Sequence, residues 1–311
     1  MNLNRPLRIG TRGSLLALTQ SGWVRDRLAE AGYPGELVVI KTTGDRIQDR
    51  PLHEIGGKGL FLKEIEEALL REEIDLAVHS LKDMPAELPA GLRIGAVPER
   101  ADPRDVLIPR DPSVKTLEDL PLGSCVGTGS TRRRAQLARL RPDLTFVEIR
   151  GNVDTRLRKV REGVDGMSAT LLAAAGLARL GLDVPEAIAL SPEQMLPAVG
   201  QGSLALEARV DAFELEQALL SIHHTPTATC AAAERAFLER LEGDCTTPIA
   251  AYAVTEGADI HMSGLVCGKD GNPWFADSFR SPQAYARRAG GALAEALLRK
   301  GAGAVLGVTN A

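Results

Sequence analysis

The stretch CVGTGSTRRRAQLARLRPDLTFVEIRGNVDTRLRKVRE, residues 125–162, decides the fold class. It opens on Cys125–Thr128, an apolar run of strand length, and passes through a turn of glycines and hydroxyls into a helical pattern over Arg132–Leu140. The cycle then repeats, with a strand at Thr145–Ile149 and a helix at Thr155–Glu162. Strands that alternate with helices imply an α/β domain with a largely parallel sheet. Upstream, strands are expected at Leu7–Gly10, Leu37–Ile40, Asp75–His79, Leu92–Val97 and Val106–Pro109. Helices are expected after Ser14, with Leu16, Trp23, Val24 and Leu28 on one face, and over Phe61–Arg71. Ala169–Ala173 and Ala174–Leu180 add a further strand and helix.

Two stretches read as crossings between domains. Pro98–Asp105 is polar, and Ser191–Gly202 is rich in Pro and Gly. Past the second, helices at Phe213–Ile222 and Thr229–Leu241, strands at Ile249–Val254 and Ile260–Cys267, and a last helix over Gln283–Arg299 imply a small α+β domain. A chain of 311 residues exceeds one ordinary core, so two or three domains are expected. No repeat of 20 to 50 residues is visible. No apolar run reaches membrane-spanning length, and no secretory signal is read in the first ten residues, so the expected location is cytoplasmic.

The net charge of −4 conceals a basic belt. Between Arg132 and Arg161 stand ten Arg or Lys and three acids, which implies an anionic partner. Nucleic acid is disfavoured, because the belt holds one aromatic, Phe146, where single-strand binders interleave several. A small polyanion fits better. Three turns share one logic: Thr11-Arg12-Gly13-Ser14, Gly127 to Arg133, and Arg150 to Arg156. Each leaves a strand, gathers backbone N–H groups at a glycine and enters a helix behind a hydroxyl residue, an arrangement that favours an anion. The arginines beside them fork onto carboxylates or phosphates. No P-loop or dinucleotide fingerprint is present.

Of the four cysteines, Cys125, Cys230 and Cys267 sit in strands or a helix and read as small buried hydrophobes. Cys245, in the turn Glu242 to Pro248, reads as an accessible thiol. The spacings suit no zinc site, so no metal is expected, and disulfides are not expected in a chain of this size with no secretory signal read.

In collinear order, TRGSLLALTQ (11–20), GGKGLFLKEIE (56–66), DLAVHSLKDMP (75–85), PRDVLI (103–108), GTGSTRR (127–133), RLRPDL (139–144), RGNVDTRL (150–157), AAGLARLGL (174–182), LPAVGQG (196–202), AERAFLERLEGDC (233–245) and PIAAYA (248–253) make the chain similar to porphobilinogen deaminases over nearly its whole length. The resemblance implies two α/β lobes like those of type II periplasmic binding proteins, 1–99 with 200–220 and 104–196. It also implies a C-terminal α+β domain, 223–311, carrying the cofactor cysteine.

The implied function is to link four porphobilinogen units head-to-tail on a dipyrromethane primer, held by a thioether to Cys245. Ammonia is released, and linear hydroxymethylbilane is then hydrolysed off, in tetrapyrrole and heme biosynthesis. By the same resemblance Asp83 is the catalytic carboxylate. Lys82, Asp83, Thr128, Ser130, Arg132, Arg133, Arg150, Gly151 and Arg156 would bind the cofactor, and Arg12, Ser14, Arg150, Arg156 and Arg179 the substrate or growing chain. The implied state is a monomer with no nucleic-acid or membrane partner. Gly243-Asp244-Cys245 stands where many relatives have Gly-Gly-Cys. The rival readings are a solute-binding or sensor protein, which leaves the Cys245 loop without a purpose, and a nucleic-acid binder, whose affinity would fall steeply with salt.

Overall fold

A computed structural model describes residues 5–42, 62–242 and 247–307. The expected helix start at Phe61 and the Cys245 turn lie outside them. The chain divides into two compact units, Met1–Arg100 with Ser203–Thr229, and Ala101–Gly202 with Cys230–Ala311. In chain order the strands begin with β1 (Leu7–Thr11), β2 (Gly35–Val39), β3 (Leu76–Ser80) and β4 (Leu92–Ala96). Then come β5 (Asp105–Pro109), β6 (Cys125–Gly127), β7 (Thr145–Val147), β8 (Met167–Ala173) and β9 (Ile188–Ala189). The last are β10 (Leu204–Arg209), β11 (Ile249–Glu256), β12 (Asp259–Cys267) and β13 (Trp274–Pro282).

The first unit holds a five-stranded sheet in the order β2-β1-β3-β10-β4. β1 runs parallel to β2 and β3, while β10 is antiparallel to β3 and β4. The helix Leu15–Glu30 packs Val24 and Leu28 into the core with Ile9, Leu76 and Leu206. In the second unit the order is β7-β6-β8-β5-β9, with β6 parallel to β7 and β8, and β5 antiparallel to β8 and β9. Both sheets follow one plan: three parallel strands, one strand inserted antiparallel, and an edge strand. The sheets are therefore mixed rather than largely parallel, because β5 and β10, the strands that follow the two crossings, run against their neighbours.

Three strands escape the sequence pattern: the two-residue edge strand β9, β10 and β13. β10, LALEAR, is buried along Leu204–Ala208 and shows no alternation, as expected of a strand covered on both faces. β13, WFADSFRSP, is a largely exposed edge strand with a polar sequence.

The C-terminal part of the second unit is the antiparallel sheet β11-β12-β13, covered by helices Thr225–Arg240 and Ala286–Leu297. Phe237, Met262, Leu293 and Leu297 lie in its core. The two helices approach closely at Gly290, where a Cβ would stand 2.0 Å from the Ala233 carbonyl oxygen. At Gly291 a Cβ would meet nothing within 4 Å. Gly290→Ala is therefore expected to cost about 1–3 kcal/mol through overpacking. Gly291→Ala should be neutral or stabilise by up to about 1 kcal/mol. Urea denaturation of the two variants side by side checks this; equal effects would contradict the packing.

Candidate functional site

The sequence-derived residues gather at the carboxyl ends of parallel strands, where an open α/β sheet presents its ligand groups. In the first unit, β1 runs into Arg12, Gly13 and Ser14. Ser14 caps the helix, its Oγ accepting from the Ala17 N–H at 3.3 Å. The neighbouring β3 runs into a single turn of 3-10 helix, Leu81–Asp83. Leu81 is buried and anchors that turn, its N–H donating to the Ser203 carbonyl at 3.0 Å. Lys82 is half-buried. Asp83 is exposed and forms no ion pair among the described residues, so its carboxylate faces solvent. Gln20 donates to Ser80 Oγ at 3.0 Å and ties the helix to the end of β3.

In the second unit the exits of β6, β7 and β8 carry the basic groups. Thr128 is buried after β6, with its Oγ1 accepting from the Ser130 N–H at 3.1 Å. Ser130 caps helix Thr131–Leu140 through the Arg133 N–H at 3.4 Å. Beyond β7, Gly151 takes φ +111°, and a Cβ there would stand 2.7 Å from Thr155 Cγ2, so the turn requires glycine. Arg156 Nε donates to the Gly151 carbonyl at 2.8 Å, and Lys159 donates to the Arg150 carbonyl at 3.2 Å. Arg150 pairs with Glu148 at a part-exposed position. This third turn lacks the expected hydroxyl cap. Its N-cap is Asn152, without a side-chain hydrogen bond, because the helix starts at Val153 and not at Thr155.

Arg132 and Arg133 are buried, at 5% and 7% exposure, and both meet Asp105, the first residue of β5, which is 0% exposed. Arg132 donates to Asp105 Oδ2 at 2.7 Å and to the Leu196 carbonyl at 2.8 Å. Arg133 donates to Asp105 Oδ1 and to the Leu171 carbonyl, at 2.8 and 2.9 Å. Gln201 adds a bond to Asp105 at 3.2 Å. Burial by itself would raise the Asp105 pKa, but the charges and hydrogen bonds of the two arginines outweigh it and hold the carboxyl well below its ordinary range. The sequence carries Asp105 and Gln201 inside PRDVLI and VGQG, and gave no signal that they bond two arginines.

Arg179 is different. Its guanidinium donates to the Gly202 carbonyl at 2.7 Å and meets no carboxylate among the described residues. Burial pushes its pKa down to about 10. A half-buried cation without a counter-ion costs free energy that an arriving anion could offset. Among the described cysteines, Cys230 and Cys267 are buried as expected, whereas Cys125 is only half-buried. Burial pushes the Cys267 thiol up to about 12. No cluster of metal-ligating side chains occurs among the described residues, and no helix among them is long and apolar enough to cross a membrane.

These turns and arginines define an α/β protein whose second unit carries a cluster of basic side chains at its strand ends. Two family models match the chain: "Porphobilinogen deaminase, dipyromethane cofactor binding domain" over residues 7–217, and "Porphobilinogen deaminase, C-terminal domain" over 228–299. Proteins named porphobilinogen deaminase align along almost all of it. That of Syntrophobacter fumaroxidans is 47% identical over 97% of this chain and 97% of its own. That of Brevibacillus brevis is 49% identical over 96% of each. The chain belongs to the porphobilinogen deaminase family. Among solved structures, the methionine-binding protein MetQ aligns with TM-score 0.40 and 12% identity, over 70% of this chain and 89% of that one.

Asp105→Asn leaves two buried guanidiniums without a counter-charge and is expected to destabilise the protein by about 3–5 kcal/mol at neutral pH. Because the folded Asp105 pKa lies below the unfolded value, its contribution is complete above about pH 4 and is lost as pH falls through the folded pKa. The stability gap between wild type and Asp105→Asn, measured by denaturation from neutral pH downward, should therefore be flat to about pH 4 and narrow only below it. A gap that closes by pH 6 would refute the pairing.

Proposed function

We propose that this chain polymerises four porphobilinogen units on a covalent dipyrromethane and releases hydroxymethylbilane. Arg179 carries the proposal: a half-buried cation that meets no carboxylate among the described residues, in a unit whose parallel strands lead into Arg132, Arg133, Arg150 and Arg156. Each pyrrole of the cofactor and of the growing chain brings an acetate and a propionate, so this donor set fits the group. Thr128, Ser130, Arg132, Arg133, Arg150, Gly151 and Arg156, together with Lys82 and Asp83, are the proposed cofactor-binding residues. Cys245 is the proposed point of attachment. When bound, dipyrromethane supplies the pyrrole carbon to which new units are joined.

The remaining work falls to this chain's own residues. Arg12 and Ser14 orient the incoming substrate. Arg150, Arg156 and Arg179 hold carboxylates through charge-assisted hydrogen bonds. Asp83 stabilises the cation left when porphobilinogen loses ammonia, and moves a proton at its carboxylate oxygen. The proposed organisation is threefold: lobes 1–99 with 200–220 and 104–196, and a C-terminal domain over 223–311. The proposed protein is a cytoplasmic monomer whose partners are porphobilinogen and the polypyrrole, with neither nucleic acid nor membrane.

Asp83→Asn keeps the shape of the side chain and removes its charge and basicity. Turnover is expected to fall by at least about 10² with KM changed much less, while Asp83→Glu keeps partial activity. Replacing Arg150 or Arg156 by Leu should slow primer assembly or chain growth by about tenfold or more. Steady-state assays of bilane and ammonia, with mass spectrometry of the chain-bearing enzyme, read both. Near wild-type turnover in Asp83→Asn would make Asp83 a turn residue only.

A further inference from the structure

Behind the Asp83 turn lies a buried cluster that the assigned roles do not use. Glu207, in the middle of β10, is 0% exposed, and His79, in β3, is 5% exposed. The β3–β10 register sets His79 opposite Ala205 and Glu207 opposite Ala77. Both side chains therefore stand on one face as diagonal neighbours, within reach of each other. His79 Nε2 lies 3.0 Å from Glu207 Oε2. Glu207 Oε1 is buried with no hydrogen-bond partner among the described residues. Glu66, on helix Lys63–Leu70, adds a third titratable group. Its carboxyl is pushed above the ordinary range by burial and next by Glu207, with His79 opposing.

Stability alone does not account for this cluster. A buried carboxylate with one oxygen unpaired pays a desolvation cost that a single histidine does not offset, and apolar residues of similar volume would pack there more cheaply. Buried polar pairs do fix register, since a one-residue slip of a strand turns every side chain to the other face. Register matters at this place. His79 lies four residues before Asp83, and the last ladder contacts before the turn are Ser80 with Leu204 and the Leu81 N–H with Ser203. A slip or twist of β3 against β10 moves Lys82 and Asp83 directly.

We propose that His79 and Glu207 are positioning residues for the Lys82–Asp83 turn, locking the end of β3 to β10 so that the Asp83 carboxylate is held at one place. The proposal rests on the assignment of Asp83 as the catalytic carboxylate. Neither His79 nor Glu207 touches substrate in this account; they act through Asp83.

The test uses the full chain carrying Glu207→Gln, which keeps volume and removes the charge. Hydrogen exchange read by mass spectrometry should show faster exchange of the Leu81 and Met84 amides, with those of β1 unchanged. kcat should fall about tenfold or more, as expected for a reacting group displaced by a fraction of an ångström, with KM within about twofold. In an Asp83→Glu background, where the carboxylate is already displaced, Glu207→Gln should lower kcat by less than about twofold further. If Glu207→Gln does not fold, His79→Asn is read by the same three measurements.

Two outcomes overturn the proposal. One is unchanged exchange at 81–84 with unchanged kcat. The other is a loss of kcat equally large in the Asp83→Glu background, which is what general destabilisation gives. Failure of the proposed function is seen separately, as a wild-type protein that forms no bilane from porphobilinogen; the exchange measurement then still decides whether the pair holds the turn.

Discussion

One buried carboxylate organises the second unit. Helix Thr131–Leu140 begins with three consecutive arginines, Arg132 to Arg134, at the end where its dipole repels cations. Asp105 makes that start possible by taking two of the three guanidiniums out of water as a paired, hydrogen-bonded triad. The same triad reaches the second crossing, because Arg132 also holds the Leu196 carbonyl and Gln201 bonds Asp105. Gln136 bonds both the N–H and the carbonyl of Leu196, Glu234 receives the Gly200 N–H, and Arg179 holds the Gly202 carbonyl. A Pro- and Gly-rich segment with little side-chain bulk is thus fixed by polar groups from helices and a strand. The arginines proposed to bind the polyanion stand on the frame that this network ties together.

The network also ranks the arginines by what they have left to offer. Arg132 and Arg133 share the single carboxylate of Asp105, so their triad keeps one net positive charge toward a ligand while its hydrogen bonds fix both guanidiniums in place. Arg150 shares its charge with a part-exposed Glu148. Arg179 is held by a carbonyl and meets no acid among the described residues, and burial lowers its pKa. In the proposed function, a carboxylate arriving there would make a charge-assisted hydrogen bond to a partly desolvated cation.

Much of this was legible in the sequence. The alternation around residues 125–162 is the signature of strand–turn–helix units, and the glycine and hydroxyl turns fall at strand ends as the pattern requires. The mixed character of the sheets was not legible, since strand direction depends on where the chain returns and leaves no local mark on LALEAR or DVLIP. β13 was missed because its exposed, polar face removes the alternation that marks a half-buried strand. Charge counting placed the basic belt but gave equal weight to every arginine in it. Only tertiary pairing singles out Arg132 and Arg133, paired to an aspartate twenty-seven and twenty-eight residues away, within the belt. His79 and Glu207 were equally hidden, for their meeting is set by the register of strands 128 residues apart in the chain.

The account stands on a primer held by one thiol and gripped by arginines. The direct measurement is the intact mass of the purified protein, followed by peptide mapping. The predicted result is one dipyrromethane of extra mass on the peptide that contains Cys245, absent from Cys245→Ser, because a serine hydroxyl is a far weaker nucleophile than a thiolate. An active enzyme whose Cys245 peptide carries no added mass, or whose added mass maps to the half-buried Cys125, would contradict it.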